Sequence, residues 1–62
     1  MSDVERLEQL RRLKNTVMGA ANRLTLLAQE FPPEEASTLQ EAASTLAAAA
    51  ERLNRLLSRI RR

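Results

Sequence analysis

Pro32 and Pro33 stand side by side almost at the midpoint of a 62-residue chain. Proline lacks a backbone N–H and its ring clashes with the preceding turn, so this pair breaks any helix that runs into it. On each side of the break, apolar residues recur every seven positions. Leu10, Val17, Leu24 and Phe31 form the row before it, and Leu39, Leu46, Leu53 and Ile60 the row after it. That spacing is expected of a helix packed along another helix. The chain is therefore read as all-α: two long helices joined by a Pro-Pro turn into an antiparallel helical hairpin with coiled-coil-like layers.

Sixty-two residues make one domain, and so short a chain buries only a small share of its surface. Disulfides, metals or oligomerisation usually supply the missing stability. The sequence has no Cys and no His, so self-association or docking on another protein is the remaining route. Ala, Leu, Glu and Arg dominate and favour helix. A hydrophobic content of 44% with clear periodicity speaks against disorder. The start, Met1-Ser2-Asp3-Val4-Glu5, is acidic and lacks the apolar segment of a secretory signal. The longest uncharged run, Ala42 to Ala50, is far shorter than the roughly 20 residues that span a bilayer. A cytoplasmic location is expected.

Ser2 and Glu5 have the spacing of a capping box, in which each side chain bonds the other's backbone N–H. Helix 1 is expected over about residues 3–30, the turn over 31–33 and helix 2 over about 33–61, all within one domain spanning 1–62. Phe31 is expected to fold over the end of the core. Ser37 with Gln40 is a rival start for helix 2, but Pro33 suits the first helical position better. A turn this short makes the helices antiparallel neighbours. Leu27 is then expected to face Leu39, Leu24 to face Ala42 and Ala43, and Ala20 and Ala21 to face Leu46. Val17, Leu13 and Leu10 would face Ala49, Leu53 and Leu56. Large opposes small in the middle layers, as space-filling requires. Gly19 falls among these small layers, where close helix approach, or else a helix kink, explains a residue that weakens a helix by about 1 kcal/mol relative to Ala.

The apolar stripe is wider than two helices need. Ala36, Ala43, Ala50 and Leu57 run beside the main row of helix 2, and Leu7, Ala21 and Ala28 beside that of helix 1. A strict seam uses two positions in seven, whereas a bundle core uses about three. These seven residues are therefore the candidate oligomer interface, through which two hairpins would form a homodimeric four-helix bundle. Met18 and Leu26 lie further round helix 1.

Charge is polarised along the hairpin. Residues 1–16 and 47–62, the open end, hold nine cations against Asp3, Glu5, Glu8 and Glu51, a balance of +5. Residues 17–46, the tip half, hold Arg23 against Glu30, Glu34, Glu35 and Glu41, a balance of −3. Helix dipoles and the pairs Glu8–Arg11, Glu8–Arg12 and Glu51–Arg55 account for much of this pattern. Packing two hairpins head to tail would also use it. A third reading is nucleic-acid binding, with Arg52, Arg55, Arg59 and Arg62 as a stripe and Arg11, Arg12 and Lys14 across the hairpin as further phosphate contacts. No Tyr or Trp accompanies them, so base stacking is not on offer at that end. Membrane binding by the stretch 52–62 would compete for the same leucines, and no aromatic anchor is present.

No catalytic residues and no cofactor, metal or small-molecule substrate are expected. Without His or Cys the Ser and Thr hydroxyls lack a partner base, and no Gly-rich phosphate loop is present. Leu24-Thr25-Leu26-Leu27 before an acidic turn, together with length, hairpin plan and heptad layers, resembles Rop, the small plasmid RNA-binding proteins whose hairpins dimerise into a four-helix bundle. The resemblance implies an RNA- or DNA-binding regulatory module as an alternative to self-association. That family's RNA face uses an aromatic and amide-bearing residues along helix 1. Here there are Asn15 and Asn22 but no aromatic before Phe31, so no functional residue carries over. A small chaperone or a subunit of a hetero-complex is a further alternative.

Overall fold

The capping box is formed. In the computed structural model, which describes residues 2–60, the Glu5 N–H donates to Ser2 Oγ at 3.2 Å and the Ser2 N–H donates to Glu5 Oε1 at 2.9 Å. Two of the N–H groups that every helix start leaves unpaired are thereby satisfied. These bonds favour the ionised carboxylate, first through the Ser2 backbone N–H and then through its hydroxyl, and hold the Glu5 pKa below the ordinary carboxylate value. From this cap α1 runs over Asp3–Ala28.

The helix ends two residues before the expected position. The N–H groups of Gln29, Glu30 and Phe31 donate to the carbonyls of Leu26, Leu27 and Ala28, a run of i→i+3 bonds that tightens the last turn. Phe31 stays 43% exposed and does not close the core. The Pro32 carbonyl then accepts from the Ala36 N–H at 2.8 Å, which places Pro33 at the first position of α2, Pro33–Ile60. Its missing N–H has no partner to lose there. The rival start at Ser37 is not used. The expected end at residue 61 lies outside the described residues.

The two helices pack against each other as an antiparallel hairpin measuring 46 × 16 × 13 Å. Where they meet reverses the expected roles of the two apolar rows. The buried residues are Ala21 and Ala28 on α1 and Ala43, Ala50 and Leu57 on α2. Leu7, Lys14 and Ala36 complete the same seven-residue rows and are half-buried. Leu7 lines one groove with Leu57, and Ala21 another with Ala43. The buried seam thus runs along the mostly alanine row, and the leucine rows expected to form the core are only half-buried. Alanine carries only a Cβ, so the axes approach most closely along this row. The larger leucines are left to one side of the seam.

Gly19 is not a packing glycine. Nothing lies within 4 Å of where its Cβ would stand, and its φ is negative. Of the expected ion pairs only Glu8–Arg11 is made among the described residues; Asp3–Arg6, at 3.4 Å, is a second. Both are surface pairs, which contribute little. The Thr25 and Thr45 hydroxyls each donate to the carbonyl one turn back, which satisfies them without partners from the other helix. No described helix is long and apolar enough to cross a membrane.

Candidate functional site

The alanine seam changes which surface is left over. Ala21, Ala28, Ala43, Ala50 and Leu57, expected to meet another hairpin, are already covered within one chain; Ala28 and Ala50 each retain 1% exposure. Groups so buried have almost no area to offer a partner, so they are not the surplus face. Of the seven candidates only Leu7 and Ala36 stay half-buried.

The surplus lies on the leucine rows. Leu10, Val17 and Leu24 sit three positions on from Leu7, Lys14 and Ala21, about 60° further round α1. Leu39, Leu46 and Leu53 sit three on from Ala36, Ala43 and Ala50, about 60° round α2. The helices are antiparallel, so these rotations bring both rows to the same side of the seam. All six residues are half-buried. Outside them run Leu13, Ala20 and Leu27 on α1 and Ala42, Ala49 and Leu56 on α2. Leu13 is 56% exposed, and Leu27, Phe31 and Ile60 are also exposed. Together these residues make one apolar face along the length of the hairpin.

The opposite side of the seam is mixed, with exposed Val4 and half-buried Ala47 among polar side chains. One open groove there is lined by Val4, Glu8, Arg11, Lys14, Asn54 and Ser58 beside Leu7 and Leu57, and a second by Asn22, Thr25, Gln40 and Ser44 beside Ala21, Ala43 and Ala47. The contrast between the two sides identifies the face that water solvates poorly. Leu26 and Met18 are exposed and fall outside the leucine face, singly.

Of the basic residues singled out for nucleic acid, Arg11, Arg12, Arg52, Arg55 and Arg59 are exposed. Arg11 is paired with Glu8, and Lys14 is half-buried in the seam. Both line the first groove, whereas Arg55 and Arg59 line a separate hollow that shares only Ser58 with it. Arg12 and Arg52 are exposed and line neither. Arg62 lies outside the described residues. Among the described residues no group of three or more acidic, His or Cys side chains is placed to hold a metal ion.

Sequence reasoning missed the order of the rows, although a signal was present. Polar Asn22, Thr25, Gln40 and Ser44 flank the alanine row, while apolar Ala20, Leu27, Ala42 and Leu56 flank the leucine row. The leucine row is therefore the centre of the apolar arc, and the seam lies at its edge. No protein-family model, curated protein or solved structure matches this chain.

Proposed function

We propose that this chain is a non-enzymatic association module whose partner is a second copy, joined through the leucine faces into a homodimeric four-helix bundle. The observation that carries this reading is the offset between seam and apolar arc. A helix in a two-helix coiled coil centres its apolar arc on its one neighbour. A helix in a four-helix bundle centres it on the bundle axis, between two neighbours. In both helices the apolar arc is offset from the seam to the same side, which supports the second arrangement.

Surface area supports the same reading. The chain presents 5059 Å², whereas a compact monomer of 7.0 kDa would present about 4,000 Å². The excess, about 1,000 Å², is close to the roughly 800 Å² that each partner of a stable complex covers. A core of four alanines and one leucine is also too small to hold two long helices alone. Sedimentation equilibrium tests the proposal. A dimer mass is expected, with folding that follows concentration. A folded monomer whose helix content and mass do not change on dilution would refute it.

A further inference from the structure

Resting on that dimer, we infer that the second hairpin lies end for end on the first, its acidic tip over the basic open end. Two twofold arrangements place leucine face on leucine face. In one, the tips lie at the same end and α1 covers the partner's α2. In the other, the tips lie at opposite ends, so that α1 covers its own copy and α2 its own copy. Both keep every neighbouring helix antiparallel, so helix dipoles do not choose between them.

The charges bordering the leucine face do choose. Arg6 continues the row of Leu13, Ala20 and Leu27, and Glu35 begins the row of Ala42, Ala49 and Leu56. Arg23 on α1, Arg52 and Arg59 on α2, and Glu30 in the turn after α1 fall one step outside those rows. All six are exposed, and among the described residues the one ion pair that any of them makes is Arg6–Asp3. Apart from Arg23, which lies in the tip half, the basic members are at the open end and the acidic ones at the tip. Reversing α2, Pro33–Ile60, upon itself sets Arg59 over Glu34 and Glu35. Reversing α1, Asp3–Ala28, brings Arg6 within about a turn and a half of Glu30. Symmetry makes each contact twice. With the tips together, Arg6 would instead meet Arg59 and Glu30 would meet Glu35, like charge on like charge. Such contacts count against a wrong arrangement more than opposite charges add to affinity. End-for-end packing also lays each open end, at +5, beside a tip at −3. The concentrated basic end that a nucleic acid would need is thereby diluted.

The chain has no Cys, so Gln29→Cys provides a single site for a spin label at the exposed tip, off the leucine face. End-for-end packing is expected to place the two labels about 40 Å apart along the bundle, at 1.5 Å per residue. Tip-to-tip packing would place them within about 25 Å, across the bundle, at interaxial spacings of 8–10 Å. Pulsed dipolar spectroscopy separates the two distances. The short distance would overturn the arrangement and leave the dimer standing. No coupling, with a monomer mass, would overturn both. Unlabelled protein gives a second measurement. The E30R/E35R double substitution is expected to weaken the dimer about tenfold, and adding R6E/R59E to the same chain to restore it. An unchanged affinity in the double variant would reject end-for-end packing.

Discussion

Leu13 and Leu26 make a matched pair for testing the leucine face. Leu13 is 56% exposed and Leu26 is 63% exposed, and both lie within α1. They differ in direction: Leu13 borders the leucine face, and Leu26 points away from both the face and the seam. Complete burial of a leucine contributes about 1.5–3 kcal/mol. Leu13 still holds about half of that in reserve, so covering it in a dimer is worth about 1 kcal/mol per copy and about 2 kcal/mol per dimer. Leu13→Gln removes this contribution and sets an amide against an apolar surface, where an unpaired polar group costs a further 1–3 kcal/mol or so. Helix propensity barely changes, because Leu and Gln rank together. The dimer dissociation constant is expected to rise by about a hundredfold to a few thousandfold. Leu26→Gln should leave it unchanged. Sedimentation equilibrium over a concentration series reads both variants, with circular dichroism to confirm helix content. Equal effects from the two substitutions, or none from Leu13→Gln, would show that the leucine face is not the dimer interface.

Gly19→Ala should stabilise the protein by about 1 kcal/mol, seen as a higher midpoint in thermal melts, because α1 is unstrained there and a Cβ meets nothing; a lower midpoint would mean that the assembled protein packs something on that side. Ala50→Glu should abolish the hairpin itself, with loss of helical dichroism at all concentrations, since it forces a charge into the closest approach of the helices; a folded variant would contradict the alanine seam. The depressed Glu5 pKa adds stability that is present above the carboxylate's unfolded value and fades as pH falls through the folded one. Ser2→Ala should remove that acid-side loss, and an identical pH profile in the variant would show that the capping box does not persist in solution. Raising the salt concentration should weaken the dimer only a few-fold, because exposed charge pairs are screened while apolar burial is not; a collapse of the dimer in salt would make charge, not the leucine face, its main support.

The break at Pro32-Pro33, both helix starts and the hairpin itself were legible in the sequence because each rests on local stereochemistry. Proline cannot sit inside a helix, and Ser2 and Glu5 are close enough in the chain to find each other without tertiary help. The choice of seam was not local. Two apolar rows on each helix share the same period of seven and lie only about 60° apart, so periodicity alone ranks them equally. Size then pointed to the leucines as the natural core. The structure selects the alanines because axes approach most closely where side chains are shortest, and because polar neighbours such as Asn22 and Gln40 must stay on the wet side. Gly19 misled for a related reason: its position along the helix matched the small layers, but its direction did not.

The alanine seam also bears on how the chain fares at low abundance. A mostly alanine seam holds two helices together but removes little apolar area from water. On the proposed reading most of the driving force appears only when a second copy arrives, so folding and assembly become one equilibrium. Newly made chains at low copy number would spend much of their time open and within reach of proteases, and accumulation would protect them. The population would thus respond cooperatively to its own expression level, persisting once a threshold is passed and clearing quickly when synthesis stops.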